Sequence, residues 1–278
     1  MRLGSALALF LSAVSLGYTG CGDDDDDGGS SQPQAFEVQV TEEDGEARVS
    51  APENASPGAV EIRFTNNGKR DHTVQIIRVD EGHTGAEVQK AGEPWVQGSG
   101  PLPDWITFAG GIGTTESGGT GTATVDLTAG TYVAYDLEGK GPTPYAEFTV
   151  EGDEAEPLPE VTAQVEATEY DFTATQLEAG SQPVLLTNAG AEPHHLAAAP
   201  LKPGKTEADV EQYLETEEGP SPVVESESFD TALVSGGEST VVDLRLESGE
   251  YALLCFVPDR KGGPAHVAKG MIAVATVG

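Results

Sequence analysis

Two sulfur side chains and a set of imidazoles gather in the second half of this chain. Cys255 is followed after ten residues by His266 and after four more by Met271, and the pair His194-His195 stands behind Pro193 further upstream. A thiolate, a thioether and neutral imidazoles are soft to borderline donors. Copper is the metal they suit, in a site with two imidazoles and a thiolate in a trigonal plane and a weak axial Met, a geometry that serves one-electron transfer. Other chemistries use these residues less completely. A triad hydrolase would employ Cys255 and His266 but leave Met271 and Pro193-His194 without a purpose. Five His in all, with no His-x-His, cannot build the trinuclear cluster of a multicopper oxidase, and a two-domain copper nitrite reductase fails on the same count. The stretch Gly110-Gly111-Ile112-Gly113 is not a dinucleotide fingerprint, because no helical pattern follows it, and it reads as a loop. The chain is therefore expected not to be an enzyme.

The elements that must position these residues are strands. Of 278 residues, 35 are Gly and 18 are Pro, and short alternating segments such as Phe36-Glu37-Val38-Gln39-Val40 and Val60-Glu61-Ile62-Arg63-Phe64 lie between turn signals. Period-two alternation argues for half-buried strands, and the composition for an all-β protein. The pattern occurs twice. Phe64-Thr65-Asn66-Asn67-Gly68 with His72 is matched by Leu186-Thr187-Asn188-Ala189-Gly190 with His194. Thr122–Leu127 is matched by Ser239–Leu244, and Gly130-Thr131-Tyr132 by Gly249-Glu250-Tyr251. Each half carries a short helical pattern, at Gly85–Ala91 and at Thr206–Thr216, the second with Thr206 as N-cap. Tyr132 and Tyr251 read first as core aromatics, at positions that suit a tyrosine corner. The acidic, proline-bearing stretch around 152–160 reads as a linker. The expected architecture is two tandem Greek-key β-sandwiches, at 36–151 and 161–278, each with a short helical insertion.

Counting from the shared Gly-x-Tyr, Asp136 stands in the first half where the second has Cys255, and the first half closes without a Met or a second His. It keeps His72 but is expected to hold no copper.

The formal charge of −33 excludes nucleic acid as a partner and disfavours anionic membrane surfaces, since both need clustered Lys and Arg. Residues 1–21 read as an export signal: Arg2, an apolar run from Leu3 to Leu16 too short to span a bilayer, and Gly20-Cys21. The tail resembles a bacterial lipoprotein box, which implies that Cys21 carries lipid, although Tyr18 stands where an aliphatic residue is usual. Residues 22–35, with Asp23 to Asp27 and then Gly and Ser, read as a solvated tether. This places the protein outside the cytoplasm, on the outer face of the cell membrane or the periplasmic membrane face, held by its lipid alone. Cys255 is then left without a disulfide partner and needs burial or a metal.

The second half resembles the plastocyanin-like cupredoxins, the type 1 blue copper family. Asn188-Ala189-Gly190-Ala191-Glu192-Pro193-His194 is similar to their first ligand loop, and Cys255…His266-x-x-x-x-Met271 to their C-terminal ligand loop. The resemblance implies one type 1 Cu in the C-terminal domain, held by His194, Cys255, His266 and Met271, with His194 favoured over His195, which stands where the family often has Asn. It implies a protein that carries one electron, with His266 as the solvent-side imidazole and a redox partner such as a cytochrome offering a basic patch to the acidic surface. The gap from Cys255 to His266 is longer than in plastocyanins, and Pro258–Pro264 is expected to be a solvent-facing excursion. A metal-free binding or structural module at the cell surface, and copper storage or delivery, are the alternatives on the same fold.

Overall fold

A computed structural model of the chain describes residues 33–137, 144–153 and 155–278; Cys21, the export signal and the acidic run lie outside them. The first half contains β1 (Gln34–Glu43), β2 (Glu46–Ser50), β3 (Asn54–Ala55), β4 (Gly58–Asn67), β5 (His72–Val79), α1 (Gly85–Val96), β6 (Ile106–Thr115), β7 (Thr120–Leu127), β8 (Gly130–Tyr135) and β9 (Tyr145–Val150). The second contains β10 (Ala163–Ala167), β11 (Phe172–Thr175), β12 (Gly180–Asn188), β13 (Ala197–Pro200), α2 (Glu207–Thr216), β14 (Phe229–Asp230), β15 (Ser239–Leu246), β16 (Gly249–Leu254) and β17 (Ile272–Val277). The all-β reading with two short helical insertions is the architecture found.

Alternation sets the faces. Phe36, Val38 and Val40 point inward along β1, Val60, Ile62 and Phe64 along β4, and Ala163, Val165 and Ala167 along β10. Burying a large apolar side chain of this kind contributes roughly 1.5–3 kcal/mol. In each half one strand pairs in parallel with the next long one, β1 with β4 and β10 with β12, and that strand pairs antiparallel with β7 or β15. The facing sheets run β3-β9-β8-β5-β6 and β14-β13-β16-β17. Both tyrosines close a corner as well as filling the core: the Tyr132 hydroxyl accepts from the Thr128 N–H at 3.1 Å, and the Tyr251 hydroxyl from the Glu247 N–H at 3.0 Å.

The halves are fused. β7 and β15 pair antiparallel, so one eight-stranded sheet runs β11-β10-β12-β15-β7-β4-β1-β2 through both. Pairing to the neighbouring strand equates Leu127 (opposite Gly58) with Leu246 (opposite Gly180), not with Leu244. The correspondence drawn from sequence is thus offset by two residues, a slip that leaves every side chain on its face and is invisible to a period-two pattern. In the corrected register Ala123 pairs with its own counterpart Val242, which marks a local two-fold relation between the halves. A single core cluster runs from Phe36 through Ala109 and Val234 to Cys255 and Met271.

Gly110-Gly111-Ile112-Gly113 is not a loop. It lies within β6, between β5 and the second half. Cβ atoms at Gly110 and Gly113 would collide with the Thr240 side chain and the Asp230 carbonyl oxygen. The missing side chains let this strand lie against the other half. There Ala109 bridges Val234, and the buried Gln75 amide donates to the Leu233 and Gly110 carbonyls while accepting the Leu233 N–H at 2.7 Å.

α1 lays Val88 and Trp95 over Ile77, Phe108 and Tyr135. α2 starts at Thr206, whose hydroxyl accepts the Asp209 N–H, and packs Val210 on Ala252, Leu254 and Ile272. Among the described residues no helix is long and apolar enough to cross a membrane.

Candidate metal centre

Three elements of the second half deliver the site. His194 follows β12 and bridges to Val234, its N–H donating to the Val234 carbonyl at 3.0 Å. Asn188 fixes the intervening loop: its amide donates to the Glu192 and Val234 carbonyls at 2.7 and 2.8 Å, and its oxygen accepts the Gly190 N–H. Cys255 follows β16 directly. His266 opens a single 3-10 turn, His266–Lys269, whose end at Gly270 lets the chain enter β17. The Met271 N–H donates to the His266 carbonyl at 3.0 Å, which sets the thioether residue beside the turn.

The geometry is that of a three-coordinate pocket. Cys255 Sγ lies 3.6 Å from His194 Nδ1 and 3.5 Å from His266 Nδ1, and the two nitrogens are 3.0 Å apart. Cys255 and His266 are 0% exposed, His194 2% and Met271 0%, so the donor atoms are shut off from water. Bonds of ~2.0 Å to nitrogen and ~2.3 Å to sulfur in a trigonal plane would space such atoms by about 3.5–3.8 Å; the two sulfur–nitrogen spacings lie near this, and the nitrogens stand closer together, at 3.0 Å. Among the described residues this is the one cluster of three metal-ligating groups of His, Cys, Asp or Glu type.

Burial keeps the three donors neutral while no metal is present. Burial pushes the Cys255 thiol up to about 11, although the backbone N–H groups of His195 and Val257 oppose that by hydrogen-bonding the sulfur. Burial pushes His194 down to about 3 and lowers His266 as well. Two neutral imidazoles therefore present nitrogens to a thiol that ionises at neutral pH only beside positive charge, which is the donor chemistry a copper ion satisfies.

His195 does not join the cluster. Its Nε2 accepts the Phe256 N–H at 3.0 Å, bracing the residue after the cysteine, and burial pushes it down to about 4.

Two expectations are overturned around His266. Its ring is not a solvent-side edge, because it is fully buried and its Nε2 donates to Asp259 Oδ1 at 3.0 Å. The same oxygen accepts from the Tyr170 hydroxyl at 3.1 Å, and Lys269 Nζ donates to Asp259 Oδ2. Phe256 and Tyr170, at 46% and 37% exposure, are the large apolar side chains open to solvent here. Nor is the segment Pro258–Pro264 a solvent-facing excursion. The Trp95 indole donates to the Asp259 carbonyl at 2.8 Å, the Leu102 N–H to the Arg260 carbonyl at 2.6 Å, and the Gly263 N–H to the Gly98 carbonyl at 3.1 Å. The Arg260 guanidinium donates to the Pro103 and Ile106 carbonyls. A Cβ at Gly98 would strike the Gly263 carbonyl, so two bare backbones meet at this point. The long gap is spent docking onto the first half. Sequence reading missed Asp259 because an Asp between Pro and Arg in a Gly-rich run looks like any exposed turn residue.

The first half keeps the frame without the donors. Its closing strand carries no sulfur, and Asp136 Oδ2 accepts from His72 Nδ1 at 2.7 Å where the second half has sulfur and imidazole.

No family model matches the chain, and no curated protein matches it. Among solved structures it is similar to auracyanin A, a "blue" copper protein from Chloroflexus aurantiacus, at 22% identity over 43% of this chain and 100% of that one, with a TM-score of 0.32. It is similar to dithionite-reduced auracyanin from Roseiflexus castenholzii at 23% identity over 41% and 94%, TM-score 0.26. Over a larger share, 88% and 93%, it is similar to copper nitrite reductase from Nitrosomonas europaea at 14% identity, TM-score 0.24. On its own atoms the chain holds two β-sandwich halves joined through one sheet, and in the second half a buried His-Cys-His triad of type 1 copper character.

Proposed function

We propose that this protein carries one electron on a single type 1 copper ion bound by His194, Cys255 and His266, with Met271 as the weak axial donor. The observation that carries this reading is the mutual spacing of one sulfur and two Nδ1 atoms, all buried. Copper bound there would supply a one-electron couple in a site acceptable to both of its oxidation states. The protein's part is to hold the donors still. Backbone N–H groups of His195 and Val257 stabilise charge on the Cys255 sulfur. The Asn188 bridge keeps His194 in place, and the dry surroundings keep water from competing as a ligand. The complete burial of Met271 and its link to the His266 carbonyl support the axial role.

The protein is exported and tethered through lipid on Cys21, and its acidic surface steers a basic redox protein of cytochrome type. The N-terminal export pattern and the charge of −33 support this. The test is to add Cu(II) to the metal-free chain and record the visible spectrum. One equivalent should give an intense thiolate-to-copper charge-transfer band, and Cys255→Ser should abolish it. Absence of that band in the unaltered protein overturns the reading.

A further inference from the structure

The first half holds no soft donors of its own, yet it reaches the segment beside the metal centre. Trp95, 1% exposed at the end of α1, donates its indole N–H to the main chain of Asp259. The Asp259 carboxylate in turn accepts the Nε2–H of His266. Arg260, the next residue, is pinned on both sides: its N–H donates to Glu192, beside the His194 loop, and its carbonyl and guanidinium bond to Leu102, Pro103 and Ile106 of the first half. A carboxylate on one imidazole nitrogen fixes the tautomer and the ring plane, and so decides where the other lone pair points. His194 lacks such a partner, since its Nε2 is buried with none among the described residues. The two imidazoles are thus held by different means.

We propose that the first half is a positioning domain for the metal centre, and that Asp259, anchored by Trp95, is the positioning residue that aims His266 Nδ1 at Cys255 and His194. Asp259 is equipped for this. Its Oδ2 accepts from Lys269 Nζ and its Oδ1 from the Tyr170 hydroxyl at 3.1 Å, so both oxygens are fixed while Oδ1 also accepts from His266. The Lys269 ammonium also sits 4.9 Å over the Tyr170 ring, which closes the shell around the carboxylate. The seven-residue span Pro258–Pro264 then has a use. It fixes the main chain of the ligand-orienting Asp259 against the first half, while the carboxylate turns back to His266.

This inference rests on the copper reading for its importance but not for its geometry, so the test has one arm without metal. In the metal-free full chain, imidazole 15N resonances should show His266 fixed as the Nε2–H tautomer. Asp259→Ala should release it to a mixture, and Asp259→Asn, which keeps an acceptor oxygen, should largely restore it. In the second arm, competition with a Cu(I) chelator should show Asp259→Ala binding about 10–100-fold more weakly, as expected for loss of an outer partner. Trp95→Phe should weaken binding several-fold, and Arg260→Gln, which spares the core, by a similar factor. Unchanged tautomer and affinity within twofold in Asp259→Ala would overturn the positioning role. An effect of Asp259→Ala with none from Trp95→Phe or Arg260→Gln would overturn the part assigned to the first half. A tautomer change in a protein that binds no copper would uphold the positioning and sink the copper reading instead.

Discussion

His72 and His194 occupy the same place in two copies of one sheet, and their partners differ in kind. His194 Nδ1 faces a thiol and a second imidazole. His72 Nδ1 faces the carboxylate of Asp136, with Glu42 3.3 Å from the other ring nitrogen. The framing is otherwise repeated atom by atom. Asn66 donates to the Arg70 and Thr115 carbonyls as Asn188 does to those of Glu192 and Val234. The Thr73 hydroxyl accepts the Leu137 N–H as His195 accepts that of Phe256. The Thr73 N–H donates to Asp136 where the His195 N–H points at the sulfur. The frame is therefore independent of what fills it. One copy pairs its buried histidine with a carboxylate inside the chain, and the other turns one sulfur and two imidazole nitrogens towards one another.

The largest effect that could break this comparison is removal of the carboxylate that partners His72. Asp136 and His72 are both 0% exposed. Asp136→Ala leaves the buried Nδ1 of His72 without its carboxylate and strips the Thr73 N–H of its acceptor. A loss of about 3–5 kcal/mol is expected, read by urea denaturation. Cys255→Ala in the metal-free protein removes a small, neutral, apolar group and should cost about 1 kcal/mol. Equal costs at the two positions would show that the second site is a structural pair like the first.

Acid should separate the copies next. Burial holds His194 at about 3 and His195 at about 4 in the folded chain, against an ordinary value near 6.5. Both are neutral in the folded protein and take up a proton on unfolding at any pH below that ordinary value. Stability in the metal-free protein is thus intact above about pH 6.5 and falls as pH drops towards 4, by a few kcal/mol in all. Bound copper blocks the ligand nitrogens of His194 and His266 and should move the acid midpoint downward. A flat thermal midpoint from pH 7 to 4.5 in the metal-free chain would contradict the burial argument. His194→Phe, which cannot titrate, should flatten the metal-free curve in part.

How much of this was legible beforehand follows from what kind of signal each feature leaves. The strands, the duplication and the three donors His194, Cys255 and His266 that meet in one cluster are written in residue type and period, and they can be read without coordinates. The fusion of the halves through β7 and β15 is not, because a paired edge and a free edge carry the same alternation. Gly110 to Gly113 looked like a loop because glycine is the residue of loops, and equally the residue of backbones that must lie against one another. The span Pro258–Pro264 looked solvated because its residues are polar and kinked. Its docking depends on carbonyls and N–H groups at Gly98 and Leu102, which every sequence supplies and none advertises. The donor set carried by side chains was visible; the docking carried by the main chain, and with it the place of the Asp259 carboxylate, was not.

The tyrosine corners offer the smallest and cleanest test of the duplication, since they lie away from both sites. The Tyr132 hydroxyl makes two bonds to Thr128, accepting its N–H and donating to its carbonyl at 3.0 Å. The Tyr251 hydroxyl accepts the Glu247 N–H. Both rings are buried, so Tyr→Phe at either position removes hydrogen bonds and little packing. About 1 kcal/mol is expected for each, with Tyr132→Phe the costlier because a donor and an acceptor both lose their partner. Calorimetry on the two variants, with and without copper, should give the same pair of costs in both states, because neither corner touches the metal centre. A Tyr251→Phe cost that appeared only in the copper-loaded protein would tie that corner to the site, and the two copies would then differ in their frames as well as in their contents.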